Sequence, residues 1–446
     1  MERRIAYSGG MKLLAPIFAL LVLSVPASAE PRLDRAERRM VEAVEREEER
    51  SIALLERLVN RNSGTLNLAG VEAVAQMLRP EFESLGFEVR WIAMSETGRA
   101  GHLIATHRGS GRGKRILLIG HLDTVFEPDS PFQRFERQGE RATGPGIGDD
   151  KGGIVVVVAA LRAMHQAGTL RNADVTVVLT GDEERPGSPI AVARRDLIEA
   201  GRWADVALEF ENLAVEDGRD FGTVARRSST SWTLRTSGRT GHSSGIFNEA
   251  LGYGAIYEMA RILDSFRREL PEPNLTYNVG VIAGGTPASI DAQGLAVTAS
   301  GKTNIVAETA IARGDVRTLT PEQDARVRAR MLEIVARHLP QTSAELAFGE
   351  DGYPPLPPTG GNRALLARLN RINRDLGLAE MPEYDPARRG AADSSFVAAH
   401  ADVLAGLGAA GGLAHAPGEY ILLDSIARSA KRAAILMTRL SRERRN

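Results

Sequence analysis

The sequence contains no cysteine. Disulfides and thiolate metal ligands are therefore excluded, and a bound metal would have to be held by His, Asp and Glu, a donor set suited to zinc, manganese or cobalt. Charge of one sign is also lacking: 56 Lys and Arg face 57 Asp and Glu, and no long basic run appears. That balance gives no electrostatic footprint for nucleic acid. Long apolar runs are missing except near the N-terminus, where Leu13 to Val25 is too short to span a bilayer comfortably. It follows Arg3, Arg4 and Lys12 and precedes Ala27-Ser28-Ala29, an A-x-A site before Glu30. The pattern predicts a signal peptide over residues 1–29, cleaved after Ala29, and a periplasmic or secreted mature protein. An N-terminal membrane anchor is the alternative.

What is present amounts to more than one hydrophobic core can absorb. A chain of 446 residues predicts two domains. Its organising stretch is Ile116 to Asp123, Ile-Leu-Leu-Ile-Gly-His-Leu-Asp. Four apolar residues without alternation predict a strand buried on both faces, as in a parallel sheet covered by helices. His121 and Asp123 follow at its carboxyl end, where open α/β sheets place their ligands. The imidazole suits a metal, and the carboxylate two residues on suits orienting the ring.

Charged sequence with apolar residues at helical spacing runs from Arg32 to Leu58, and Gly70 to Leu85 predicts a second helix. Phe87 to Ile92 and His102 to His107 look like strands, their histidines ordinary strand polar residues. Gly144-Pro-Gly-Ile-Gly-Asp149-Asp150-Lys151 has alternating glycines, but two carboxylates stand where a dinucleotide pyrophosphate would sit, so a nucleotide fingerprint is discounted. The glycines instead let the backbone bend and present Asp149 at the start of a helix running to Gly168. Asp174 to Thr180 is another buried strand, ending in Gly181-Asp182-Glu183-Glu184. Adjacent glutamates at the end of a core strand are costly unless something positive meets them, and they can divide labour between metal binding and general-base catalysis. Val206 to Glu211 repeats the pattern, and His415 lies far downstream in a Gly/Ala-rich loop.

These segments, His121-Leu-Asp123-Thr-Val, Gly146-Ile-Gly-Asp149-Asp150-Lys151-Gly, Asp182-Glu183-Glu184, Phe210-Glu211 and Gly412-Leu-Ala-His415, resemble in order and spacing the co-catalytic zinc exopeptidases. That family, peptidase family M20, includes bacterial glutamate carboxypeptidase, aminoacylases and acetylornithine deacetylase. The resemblance implies two divalent metal ions per subunit, zinc or else cobalt or manganese. It makes Asp149 the bridging ligand, with His121 and Glu211 completing one site and Glu184 and His415 the other. Asp123 would orient His121, and Glu183 would be the general base acting on a metal-activated water. The implied substrate is a small peptide or an N-acyl amino acid, cleaved at its amide bond in carboxypeptidase-like fashion.

Residues 224–347 read as an insertion between two parts of an α/β/α catalytic domain, 30–223 and 348–446. Within it, Trp232 and Leu234, then Tyr277 to Val281, then Ile305 to Ile311 alternate as strands, and Leu346 and Phe348 close with a last one. Ala250 to Phe266 predicts a helix, and Thr320-Pro321-Glu322-Gln323 supplies the cap, first-turn proline and capping-box glutamine of another. The order βαββαβ fits a ferredoxin-like sandwich, which the resembled family uses as a lid and dimerisation domain. There His242 corresponds to a lid histidine that stabilises the oxyanion, often in the partner subunit's site, and Asn304 and Arg317 correspond to substrate-binding residues.

Two rival readings exist. Gly241-His242-Ser243-Ser244-Gly245, with Asp393 and His415 downstream, matches the order of a serine hydrolase triad. Its context is wrong, because the motif does not end a core strand, and it leaves Asp149, Glu183, Glu184 and Glu211 unexplained. A non-catalytic peptide-binding relative is the other, disfavoured by the presence of all five ligand candidates and the base. Three places depart from the family pattern: Asn304-Ile-Val-Ala307 lacks the proline usual there, Asn212 stands where a proline often follows the metal glutamate, and Tyr353-Pro354-Pro355 occupies the region of a substrate-carboxylate arginine. The last argues against a strict preference for C-terminal glutamate.

Overall fold

The computed structural model describes residues 33–110, 112–291 and 294–445. The expected signal peptide, residues 1–29, lies outside them. Among the described residues no helix is long and apolar enough to cross a membrane.

The strand Arg115–His121 lies inside a six-stranded sheet. It pairs in parallel with Asp174–Thr180 on one side and Val206–Glu209 on the other, and Asp402–Leu404 continues the parallel order at that edge. Gly101–His107 and Glu88–Ala93 extend the opposite edge in antiparallel fashion. Ile116 to Ile119 are at most 1% exposed, and the reason is the pleat. Ile116 and Leu118 face a large cluster built with helices Gly152–Ala167 and Asp424–Leu440, whereas Leu117 and Ile119 face a smaller one built with Leu197 and Val397. Helices on both faces thus explain an apolar run without alternation. The parallel strands end together, and the loops after them share one rim.

The inserted residues build their own layer. Strands Thr276–Gly285, Thr309–Arg317, Thr230–Gly238 and Thr342–Phe348 lie in that spatial order, all antiparallel. Helices Gly254–Glu269 and Pro321–Val335 close a separate core around Trp232, Ile262, Phe266, Met331 and Ile334. This is the ferredoxin-like arrangement. The second helix begins at Thr320, whose side chain caps the Gln323 N–H.

Two local expectations are corrected and one element is added. The charged N-terminal stretch is two helices, Arg35–Arg46 and Glu48–Val59, interrupted at Glu47, and the first is fixed by a capping box of Asp34 and Glu37. The third lid strand is Thr309–Arg317, not Ile305 to Ile311, because Ile305 and Val306 instead join the loop carrying Gly241 and His242. A small hairpin, Ala288–Ile290 with Val297–Ala299, was not foreseen.

Candidate metal centre

Five side chains converge at the rim where the parallel strands end. His121 leaves its strand with Nε2 2.9 Å from Asp149 Oδ1. Asp123 lies 3.4 Å from the other ring nitrogen, Nδ1. Asp123 is itself fully buried, accepts a hydrogen bond from Thr65 Oγ1 at 2.6 Å, and accepts the backbone N–H groups of Glu183 and Glu184 at 3.0 and 3.1 Å. One carboxylate therefore fixes both the histidine and the acidic loop.

Asp149 is presented by the glycine-rich bend before helix Gly152–Ala167. Glu419 holds that bend by accepting N–H bonds from Gly146, Gly148 and Asp149 at 3.0, 2.8 and 3.0 Å. Asp150 turns the other way and accepts the His121 N–H at 3.2 Å. A Cβ on Gly120 would stand 2.4 Å from its Oδ2, so any larger residue before the histidine would have to push Asp150 aside. His415, at φ 63°, brings Nε2 to 3.1 Å from both Asp149 Oδ2 and Glu184 Oε2.

Two groups suited to a cation result: His121, Asp149 and Glu211, and Asp149, Glu184 and His415, the donor atoms of each group within 4.8 Å of one another. Asp149 belongs to both. Its two oxygens are divided between the two histidines.

The electrostatics show what such a cluster costs. Burial pushes the Glu183 carboxyl well above its usual range, and Glu211, Asp393 and Glu184 add to it. Burial, with Glu209 and Asp149, pushes Glu211 up to about 7 against the pull of Arg226. Bonds to Asp149 and Glu184 raise His415 to about 10 despite its partial burial. Burial opposes charging of His121, yet Asp123, Asp149 and Glu183 outweigh it and hold its pKa well above the ordinary value. Carboxylates crowded out of water in this way demand positive charge.

Several contributors escaped sequence reasoning. Arg226 Nη2 donates to Glu209 Oε2 at 2.6 Å and to Glu211 Oε2 at 2.7 Å. Ser394 Oγ donates to the other oxygen of Glu209 at 2.8 Å. Arg194, fully buried, bridges Asp182 and Asp393 at 2.6 Å each, and donates to Tyr353 Oη at 3.0 Å. Only the dipeptides Arg194-Arg195 and Arg226-Arg227, set near acidic strand ends, hinted at them.

The rival triad is not assembled. Asp393 is engaged by Arg194 and Thr180, His415 by Asp149 and Glu184, and Ser243 sits in a lid turn beside Asn304. Among the described residues no hydrogen bond joins Ser243 to Asp393 or His415. His242 is exposed, its Nδ1 2.8 Å from Ser244 Oγ, and Asn304 is exposed in the neighbouring loop. Arg317 pairs with Asp315 on its own strand at 2.8 Å. Within the single chain the structure does not bring these three lid residues to the acidic cluster.

The description of peptidase family M20/M25/M40 matches residues 117–439. The chain belongs to this family. Carboxypeptidase G2 of Pseudomonas sp. (strain RS-16) is 30% identical over 244 residues, 54% of this chain and 56% of that enzyme, so the match spans about half of that relative. Succinyl-diaminopimelate desuccinylase of Novosphingobium aromaticivorans is 29% identical over 308 residues, 66% of this chain and 76% of that one. Among solved structures, aminopeptidase PepT from Bacillus cereus is similar with a TM-score of 0.70 at 20% identity, covering 89% of this chain and 99% of that chain. A Bacillus subtilis protein described as a dinuclear metal-binding peptidase of the M20 family gives 0.61 at 16%, covering 88% and 98%. At those identities the structures establish the fold, a catalytic domain plus lid. As an M20 member the protein is a hydrolase of the metallopeptidase or amidohydrolase kind.

Proposed function

We propose that this M20 hydrolase is a periplasmic or secreted exopeptidase or amidohydrolase that cleaves the amide bond of a small peptide or N-acyl amino acid, using two divalent ions, zinc in the first instance. The observation that carries this is the pair of donor groups sharing Asp149. The donor set fits the ions: histidine and carboxylate ligands only, with Glu184 Oε1 buried and unpartnered. His121, Asp149 and Glu211 would hold one ion, and Asp149, Glu184 and His415 the other. Bound there, the ions supply Lewis acidity that polarises the scissile carbonyl and acidifies water.

The chain's own groups do the rest. Asp123 holds the His121 ring from its Nδ1 side. Glu183, free of a metal role, takes the proton from the attacking water on its carboxylate and delivers it to the leaving nitrogen. Carboxypeptidase and desuccinylase relatives agree with amide cleavage. The leader motif at residues 1–29 supports export.

The lid supports a homodimer. Among the described residues its strand Thr276–Gly285 ends the sheet, bearing exposed Val279 and Ile282, and Ile256 and Tyr257 are exposed on the adjacent helix. The exposed His242 would then reach the partner's site to hold the oxyanion, with Asn304 and Arg317 contacting substrate. Metal content by elemental analysis, with activity on a panel of dipeptides and N-acyl amino acids before and after chelation, tests the proposal. Two ions per chain and activity restored by zinc, cobalt or manganese are expected; activity that survives chelation but is lost in Ser243→Ala would overturn it.

A further inference from the structure

Tyr353 stands on the segment that returns the chain from the lid. Its backbone pairs with the outgoing segment: the Tyr353 N–H donates to Ser229 O at 2.9 Å and the Ser229 N–H to Tyr353 O at 3.0 Å. Arg226 and Leu356 pair the same way one step closer to the catalytic domain. Tyr353 is therefore part of the two-stranded hinge through which the lid is attached.

Its side chain points into the catalytic domain. Tyr353 Oη donates to the Glu183 carbonyl at 2.8 Å and accepts from Arg194 Nη2 at 3.0 Å. A guanidinium only donates and a phenol has one proton, so the direction of both bonds is settled. Arg194 cannot yield, since Asp182 and Asp393 grip it at 2.6 Å each. The ring packs edge-on against Phe396 with centroids 5.0 Å apart. The N–H of Glu183 is meanwhile tied to Asp123 at 3.0 Å. Both backbone groups of this glutamate are thus fixed, one by the carboxylate beside His121 and the other by a hydroxyl carried on the hinge.

Tyr353 also lines a cavity of about 710 Å³ between the lid and the catalytic domain, with Arg328 and Phe348 on the lid side and Phe396 opposite. The hinge thus has open space on one side of it.

We propose that Tyr353 is a positioning residue that ties the backbone of Glu183 to the hinge, so that the placement of the base depends on the position of the lid. The proposal rests on Glu183 being the general base. Tyr353→Phe, Glu183→Gln and the double variant, made in the full chain with metal content measured, are compared on whichever panel substrate the wild type turns over fastest. Tyr353→Phe keeps the ring and leaves Arg194 Nη2 its bond to the Asp182 carbonyl; losing the hydroxyl's bond to Glu183 is expected to lower kcat roughly three- to tenfold, with KM and metal content unchanged. In the Glu183→Gln background the same change is expected to cost nothing further, because it acts through that carboxylate. Pro354→Gly, which loosens the hinge while sparing both bonds, is expected to lower kcat in the same selective way. Unchanged kcat in Tyr353→Phe or in Pro354→Gly, or an equal loss in both backgrounds, overturns the tether while an inactive Glu183→Gln leaves the base assignment standing. Wild-type turnover in Glu183→Gln removes the base itself, and with it the proposal.

Discussion

Arg194 and Arg195 are neighbours in sequence with opposite surroundings, and replacing each by methionine should separate a buried ion pair from an exposed one. Arg194 has no exposed surface, and its two carboxylate partners, Asp182 and Asp393, are at most 3% exposed. Removing the guanidinium leaves two carboxylates in the interior. Each retains a single donor on its other oxygen, the Gly187 N–H for Asp182 and Thr180 Oγ1 for Asp393. Breaking a buried pair from one side costs about 3–5 kcal/mol, about a fifth or more of the roughly 5–15 kcal/mol that holds a domain folded. Arg195 meets Glu96 at 3.4 Å with both side chains more than half exposed, so its loss should cost below about 1 kcal/mol. Trp91 and Trp203 belong to the catalytic part and Trp232 to the lid core. Urea unfolding followed by tryptophan fluorescence in a Trp232→Phe background therefore reports the catalytic part. A difference between the two variants smaller than about 1 kcal/mol would refute the account of Arg194 as the counterion of two interior carboxylates.

Further outcomes follow from the proposed centre. Glu183→Gln should retain the metals while losing about a hundredfold or more in turnover, whereas Glu184→Gln should lose metal; the opposite pattern in elemental analysis would exchange the two roles. His242→Ala should cost roughly 3–4 kcal/mol of transition-state stabilisation with metal content unchanged. Mixing it with Glu183→Ala protein under conditions of subunit exchange should restore activity, and a monomer in solution would rule out the shared site. Metal binding should strengthen as pH rises from 6 towards 9. His415, held at about 10, and Glu211, at about 7, carry protons in the metal-free protein that binding must displace. Calorimetric titrations in buffers of different ionisation enthalpy would show that proton release, and a pH-independent affinity would contradict it.

What the sequence determined by itself were the features that local chemistry writes into a short stretch. The uninterrupted run Ile116 to Ile119 announced a strand covered on both faces, and the pleat indeed sends alternate residues into two cores. The capping signature from Thr320 to Gln323 marked a helix start to the residue. The carboxylates and His121 of the candidate centre stood out because each ends or follows a strand or opens a helix, where an ionisable group is conspicuous, whereas His415, in a Gly/Ala-rich loop, was marked only by the family resemblance. Family M20 was legible for the same reason, since its motifs are local. The boundary between Ile305 and Thr309 was not, because an alternating stretch looks the same whether it pairs in a sheet or braces a loop, and only the contact with Gly241 and His242 decides. Nor were Arg194, Arg226, Tyr353 and Glu419. Glu419 acts on a bend some 270 residues earlier, Tyr353 on a carbonyl 170 residues earlier, and Arg194 on Asp393 199 residues later, while Arg226 serves Glu209 and Glu211 only because the chain turns back on itself. An arginine's role is set by whether its partners are buried with it, and that is decided by packing. Arg194 and Arg195 are identical in sequence terms, and only the tertiary structure makes one an interior counterion and leaves the other in water.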